Sequence, residues 1–220
     1  MGSLRELPLF PLNTVLFPGM NQPLHIFEPR YRLMITECVE NNRPFGSVLI
    51  KQGAEVGSTA TPYEVGTSAY VTQIERAPDG RMNIQTVGYQ RFKIHALQRH
   101  RPYLVGLVED SPLTGEDNPE NDPLAATLGA GLRIYLDLLK KASEHSVDLD
   151  TIPDRTMALA YLAAIILPLP NHEKQSLLVC ESLTDLLKIE SVLIQREVML
   201  LKHMIEHGQQ EGDAELFSIN

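Results

Sequence analysis

Cysteine is scarce in this sequence of 220 residues, and long apolar runs are missing. Its two cysteines, Cys38 and Cys180, are too few for a disulfide framework or a cysteine-based zinc site. No apolar run approaches the ~18 residues of a membrane-spanning helix, and the first ten residues lack the basic and apolar regions of a signal peptide. These absences predict a cytoplasmic protein without a membrane segment.

Signatures of catalysis are also missing. The sequence contains neither G-x-x-x-x-G-K-[ST], which cradles nucleotide phosphates, nor G-x-S-x-G, which carries a hydrolase nucleophile. Isolated serines and lysines occur, but no pattern places a pair of them together. We therefore predict a protein that is not an enzyme, with no catalytic residues and no cofactor.

One literal motif requires weighing as a metal site. Residues 203–207 have the H-x-x-E-H spacing, in which two histidines on one helix face hold zinc. Such a site needs a third ligand from a following element, and only 13 residues follow His207. The negative end of the helix dipole is a simpler reason for histidines in a last turn. We predict no metal site.

Charge is distributed unevenly over an otherwise ordinary globular composition. The chain has 43% hydrophobic and 21% charged residues and a formal net charge of -9. Residues 1–112 contain 11 Lys/Arg against 10 Asp/Glu, a net charge of +1, whereas residues 113–220 contain 8 against 18, or -10. This difference predicts two units with different surfaces. It also argues against a nucleic-acid partner, which requires a dense basic face.

The first half of the chain has the pattern of a small β domain, for which we take residues 1–112. Residues 70–74 and 82–87 flank Pro78-Asp79-Gly80, a hairpin signal. Alternation over residues 92–96 predicts a half-buried strand, and residues 103–108 predict a strand that is apolar on both faces. One helix interrupts the strands: Pro29 suits its first position, and Asn41 and Asn42 end it. Its predicted apolar face is Leu33, Met34, Cys38 and Val39.

The second half is predicted to be helical. Residues 113–121 are polar and rich in turn formers and read as a linker, residues 122–208 as a helical bundle, and residues 209–220 as a flexible tail. Four residues are predicted to cap helices: Asp122, Asp154, Asn171 and Ser182. Gly208 is predicted to end the last helix. A stripe on that helix is predicted to pack in the core, with a partner-binding groove as the alternative: Val192, Leu193, Arg196, Met199, Leu200, His203 and Met204.

The stretch from residue 7 to residue 50 contains the most specific sequence motif of the chain. Its run LPLFPL…LFPG…PLHIFEPRYR, the later Gly88-Tyr89-Gln90-Arg91-Phe92 and the segment Glu173-Lys174-Gln175 resemble the amino-terminal, substrate-recognition domain of the ATP-dependent Lon proteases. Short bacterial proteins that consist of this domain alone are similar too. The resemblance implies an α+β fold, with a PUA-like β pseudo-barrel followed by an α-helical bundle. Cereblon carries a similar domain, used there as an assembly surface.

The resemblance also implies a role in recognising polypeptides. A partly open barrel offers an edge or groove where an extended segment can dock by strand addition. For the apolar candidates, the competing interpretation is packing in the core. For the charged segment around Glu28, it is that Glu28 pairs with an arginine or caps the following helix. The candidate groove residues are Phe17, Leu24, Phe27, Arg30, Tyr31, Arg32, Phe45 and Tyr89.

The predicted function is thus non-enzymatic binding of polypeptide segments or partner proteins. Two alternatives stay open at this point. One is an RNA-binding PUA-like module, and the other is a small-molecule or enzymatic pocket between barrel and bundle. The helical half is predicted to act as a second wall or as a dimer surface, which would make the protein a homo-oligomer.

Overall fold

The computed structural model describes residues 3–55, 57, 60–142 and 152–217. The described residues group into two compact units. One takes the described residues of the ranges 1–113 and 169–180, and the other takes those of the ranges 114–168 and 181–220. Residues 169–180 therefore group with the β unit, although they lie inside the range that the sequence pattern assigned to the bundle.

Seven strands of the first unit form one connected sheet within the described residues. They are β1 (Arg5–Leu12), β2 (Asn21–Ile26), β3 (Phe45–Gln52), β4 (Thr61–Pro62), β5 (Val65–Arg76), β6 (Met82–Gln98) and β7 (Leu104–Asp110). Antiparallel pairs link β1, β7, β6, β5 and β3 in that order, and a parallel β1–β3 pair closes the ring. Strand β2 adds to β6, and β4 adds to β3. The predicted α+β fold with a β pseudo-barrel is confirmed.

Helix α1 (Pro29–Glu40) contributes to the main core of this unit. It buries Tyr31, Met34, Ile35 and Cys38, which follow the i, i+3, i+4, i+7 spacing of one helix face. The predicted face was therefore wrong in part, because the side chains of Leu33 and Val39 are exposed. A stripe centred on residues 31–38 buries an aromatic ring that the predicted one left out.

The long β5–β6 hairpin matches its prediction except near its end. Gly80 adopts a φ of 83° in the turn, a conformation that glycine reaches without a steric penalty. Phe92 and Ile94 are buried and Lys93 is exposed, as the alternation predicts. Ala96 was expected inside but is exposed, because the register with β7 shifts between Ile94 and Ala96. An irregularity in the pairing interrupts the alternation, so Ala96 does not follow Phe92 and Ile94 to the buried side.

The loop between β1 and β2 lies on the barrel wall and is held there by backbone hydrogen bonds. Gly19 N donates to Gly88 O at 2.8 Å, and Gly88 N donates to Met20 O at 2.9 Å. The Thr67 hydroxyl donates to Leu16 O at 2.6 Å. A Cβ atom built on Gly88 would overlap the carbonyl oxygen of Phe17. The Pro-bounded loop therefore needs glycine at position 88 for its close approach.

The second unit contains α2 (Asn121–Ala142), α3 (Thr156–Ile166) and α5 (Leu183–Phe217), whereas α4 (Asn171–Val179) belongs to the first. The Ser182 hydroxyl accepts from Asp185 N at 3.1 Å and donates to the Asp185 carboxylate at 2.7 Å, so this predicted cap is confirmed. The caps predicted at Asp154 and Asn171 are wrong, because the N-cap positions fall one residue away and lack side-chain hydrogen bonds.

The beginning and end of this unit also differ from the sequence prediction. The polar segment before α2 is hydrogen-bonded, with Thr114 N donating to Glu181 O and the Asn118 amide donating to the Thr184 hydroxyl, both at 2.9 Å. Helix α5 continues through Gly208 to Phe217, so the predicted stop is wrong. The final residues, 218–220, lie outside the described residues, as do the side chains from residue 207 onward.

The apolar stripe on α5 was predicted to lie in the core, and this prediction is wrong. Val192, Met199 and Met204 are each about two-thirds exposed. The helix instead buries a neighbouring face that includes Leu183, Leu187 and Ile194. Two faces of α5 carry apolar residues, so periodicity alone could not choose between them. No described helix combines the length and apolar character needed to cross a lipid bilayer.

We expect Gly88→Ala to destabilise the protein by about 2 kcal/mol or more, because a methyl group there displaces the Phe17 backbone. Chemical denaturation at constant pH measures the effect. Gly129→Ala in α2 is the control, since its Cβ meets no atom closer than 3.7 Å. Alanine should stabilise that helix by roughly 0.5–1 kcal/mol. Equal stability of Gly88→Ala and the parent would show that the loop does not need its close approach.

Glu190 should give the folded protein a pH dependence that Glu190→Gln removes. The side chain is fully buried, neither of its oxygens has a hydrogen-bond partner among the described residues, and burial raises its pKa well above the usual value. Between the unfolded and folded pKa values only the folded state keeps the proton, so stability falls as pH rises through that window. Denaturation midpoints from pH 4 to pH 8 test this, with Glu206→Gln as the exposed control on α5. A parent and variant with parallel pH profiles would contradict it.

Candidate functional site

Three of the predicted groove residues lie in the barrel core. Phe17 and Phe45 are fully buried and Tyr31 is 4% exposed. The rings of Tyr31 and Phe10 stack with 4.1 Å between their centroids. The Phe45 ring lies 6.2 Å from the Phe10 ring, also between centroids. Core packing, the competing interpretation, accounts for these side chains. Phe17 and Phe45 are too deeply buried to contact a ligand.

Two other candidates are exposed but lie far apart. Phe27 follows the end of β2, where Ile26 pairs with Met82. Tyr89 lies beyond the opposite end, where Asn21 pairs with Val87. The intervening strand is roughly 17 Å long at 3.3 Å per residue. Leu24 is half-buried against the main core between them. These side chains do not line one groove, and any binding role for them stays a prediction.

The two candidate arginines already have structural partners. Arg30 pairs with Glu28 at 3.0 Å and lies 4.3 Å from the centroid of the Tyr31 ring. Arg32 donates to Asp79 O at 3.0 Å and so ties α1 to the β5–β6 turn. The predicted pairing of Glu28 with an arginine is confirmed, whereas its side chain makes no helix-capping hydrogen bond.

An unpaired stretch of β1 makes the first unit accessible. Residues 5–9 pair with β7 on one edge, whereas pairing with β3 on the other edge begins only at Leu9. Among the described strands, none lies against the β3 side of residues 5–8. The reason is that β3 starts at Phe45, directly after α1 and a short turn. The barrel is therefore open along the first half of β1.

A cavity of about 760 Å³ lies along this open edge and is called the β1 cleft below. Ligand sites in proteins typically occupy roughly 300–1,000 Å³, so the β1 cleft has room for a ligand. Its walls come from β1, from the C-terminal end of α1 with the following turn, and from the segment that enters β7. The lining residues are Arg5, Glu6, Leu7, Pro8, Glu37, Cys38, Asn41, Arg43, Pro44, His100, Arg101, Tyr103 and Val105.

The prolines of β1 indicate which backbone groups face the β1 cleft. Pro8 pairs within the β7 ladder and Pro11 within the β3 ladder, and neither can donate a hydrogen bond. Neither proline leaves a ladder without a donor if the N–H and C=O groups of even-numbered residues point toward β3. Those of odd-numbered residues then point toward β7. By this alternation Glu6 directs its N–H and C=O into the β1 cleft, and Pro8 directs only a C=O there.

A hydrogen-bond network fixes the wall opposite β1. The Tyr103 hydroxyl donates to Glu37, and Arg101 contacts the other oxygen of the same carboxylate at 3.5 Å. Burial, followed by the Glu37 hydrogen bond, raises the pKa of Tyr103 to about 12. Burial likewise raises the pKa of the Cys38 thiol to about 11, so Cys38 stays protonated at neutral pH. A protonated thiol is a poor nucleophile.

A second cavity, of about 300 Å³, adjoins the β1 cleft and shares Arg101 and Tyr103 with it. It is lined by Arg30, Tyr31, Arg99 and neighbouring residues. Of the sequence candidates, only Arg30 and Tyr31 reach either cavity. Arg5, Glu6, Arg43 and Arg101 were missed, because no short motif marks a strand whose neighbour begins late. The prolines at positions 8 and 44 were the available signal, since proline is typical of strand edges.

Metal-ligating side chains do not cluster in the part of the chain that the structure describes. No group of three His, Cys, Asp or Glu residues there could hold an ion. The side chain of His207, which the H-x-x-E-H spacing requires, lies outside the described residues.

Sequence comparison places this geometry in a family. Residues 6–196 match the model of the ATP-dependent protease La (LON) substrate-binding domain. Lon protease 2 of Syntrophobacter fumaroxidans is 30% identical over 179 residues, which are 80% of this chain and 22% of that protein. Lon protease 2 of Herpetosiphon aurantiacus is 28% identical over 215 residues, 94% of this chain and 26% of that protein. The chain thus spans about a quarter of the length of these proteases.

Solved structures give the same answer for the fold. A Lon N-terminal domain protein from Xanthomonas campestris superposes with a TM-score of 0.63 at 27% identity, covering 84% of this chain and 95% of that one. The N-terminal domain of the Mycobacterium avium complex Lon protease superposes with a TM-score of 0.66 at 19% identity, covering 87% and 98%. The matched residues contain neither an ATPase nor a peptidase module, and the chain belongs to the Lon substrate-binding domain family.

Proposed function

We propose that this chain is a non-enzymatic polypeptide-recognition module that binds an extended segment along the open edge of β1. Membership of a substrate-binding domain family supports binding of polypeptides as the general role. The proposal includes a cytoplasmic location, which fits a chain whose two cysteines, Cys38 and Cys180, form no disulfide. Homo-oligomer formation, RNA binding and a small-molecule pocket stay predictions without a specific supporting observation.

The observation that carries the proposal is the coincidence of the unpaired strand edge with the β1 cleft. A polypeptide that adds to a sheet edge gains backbone hydrogen bonds that do not depend on its sequence. Residues 5–8 extend over roughly 13 Å at 3.3 Å per residue, enough for three or four residues of a partner. The β1 cleft provides room for the side chains of that segment. This combination suits a module that accepts many sequences.

Proline limits how strongly the edge can pair. Pro8 cannot donate, and Pro44 restricts the turn that faces the same cavity. Glu6 is therefore the residue that offers both a donor and an acceptor to a partner strand. Short edges with proline and charge resist unwanted pairing with other sheets. We expect modest affinity and fast release, as recognition of many substrates requires.

Glu6→Pro is the sharpest test of this proposal, because it removes the one N–H that the edge offers. In the parent protein the Glu6 N–H points away from β7, so its loss should leave the β1–β7 pairing and the barrel intact. We expect about tenfold weaker binding to a fluorescent, permanently unfolded protein such as reduced, carboxymethylated α-lactalbumin, measured by anisotropy. Glu6→Ala keeps the backbone groups and should bind within about threefold of the parent.

Circular dichroism and thermal unfolding check that Glu6→Pro is folded. A folded Glu6→Pro protein that binds like the parent would refute strand addition at this edge. Absence of binding by the parent itself, at both low and moderate salt, would refute polypeptide recognition.

A further inference from the structure

We propose that the β1 cleft recognises a carboxylate of the bound segment, held by Arg43 and Arg101. This inference rests on the proposed function and assigns the recognised group as a carboxylate carried by a polypeptide. The carboxylate can come from an Asp or Glu side chain or from a chain terminus, and the experiment below distinguishes these sources.

Arginine is concentrated at the two adjoining cavities of the first unit. Of the twelve arginines in the sequence, five line these cavities and no lysine does. The five are Arg5, Arg30, Arg43, Arg99 and Arg101. Only two carboxylates, Glu6 and Glu37, line the same cavities. In a chain with a net charge of -9, the β1 cleft itself is lined by three arginines and two glutamates, a net charge of +1.

Two of these arginines have donors available for a ligand. Arg5 is held by Asp110 at 2.8 Å, and Arg30 by Glu28 at 3.0 Å. The Arg43 side chain is exposed, and no hydrogen bond or ion pair to its guanidinium occurs among the described residues. Arg101 contacts Glu37 at a long 3.5 Å, while Tyr103 also donates to that carboxylate. Arg43 and Arg101 both line the β1 cleft, beside the free edge of Glu6.

The chemistry of the walls favours a carboxylate over a nucleic-acid phosphate. A guanidinium binds a carboxylate through two parallel hydrogen bonds, a geometry that a lysine ammonium cannot offer. Single-stranded nucleic acid requires exposed aromatic rings for base stacking. The aromatic residues of these cavities, Tyr31 and Tyr103, are each 4% exposed. Glu6 and Glu37 would also repel a polyphosphate chain, whereas an isolated carboxylate can approach the two arginines alone.

The test compares three labelled peptides of equal length: one with internal Glu and an amidated end, one with Gln at those positions and an amidated end, and one with Gln and a free terminal carboxylate. We expect the parent protein to bind the Glu peptide or the free-end peptide about tenfold more tightly than the neutral peptide. Arg43→Gln and Arg101→Gln should each reduce that preference, taken as the ratio of the two affinities measured on the same variant. Arg133→Gln, an exposed arginine of α2 outside both cavities, is the charge-matched control.

The outcomes separate this inference from the proposed function. Equal affinity for all three peptides, with binding still weakened by Glu6→Pro, would refute carboxylate recognition and leave polypeptide binding intact. Binding of none of the peptides, together with no binding of the unfolded protein, would refute both. A mixed RNA oligonucleotide that displaces the Glu peptide at equal or lower concentration would refute the assigned ligand class. A preference for the carboxylate peptides that survives in both Arg43→Gln and Arg101→Gln would refute recognition by these two arginines.

Discussion

The parallel pairing of β1 with β3 is the constraint on which the first unit depends. It closes a ring of five strands whose other pairings are antiparallel, and it begins only at Leu9 and Gly46. Closure hides most strand edges, which protects the barrel from pairing with other chains. Because β3 begins late, the same pairing leaves residues 5–8 with no strand partner on that side among the described residues. Barrel stability and an accessible edge follow from one register.

Helix α1 both fills the barrel core and forms one wall of the β1 cleft. Its buried face fills the core with Tyr31, Met34, Ile35 and Cys38, and its C-terminal end borders the β1 cleft. Glu37 is held by Tyr103, and Arg32 is held by the β5–β6 turn. These contacts fix a wall whose geometry does not depend on a ligand. A preformed wall reduces the loss of conformational freedom on binding.

Some features of the fold could be predicted from the sequence and others could not. The Pro-bounded opening, the hairpin around Gly80, the helix start at Pro29 and the Ser182 cap all depend on local backbone preferences, and the structure has each of them. The exposed stripe of α5, the outward Ala96 and the exposed Leu33 depend on which of two faces meets the core. Local periodicity cannot make that choice when both faces carry apolar residues. Phe17 and Phe45 were proposed for a groove from their chemistry, and only packing shows that they are core.

Residue types and their order by themselves determined the family, the α+β class and the absence of nucleotide-binding and nucleophile motifs, because these depend on local preferences and on specific wording. They did not determine the site. Residues 5–8, 37–44 and 100–105 are distant in sequence, and only the closure of the barrel brings them to one cavity. The first half of the chain is nearly neutral in total, yet folding gathers five arginines at two adjoining cavities. Net charge is a sum over residues, whereas the field in a cleft depends on where the chain places them, and tertiary structure alone decides that.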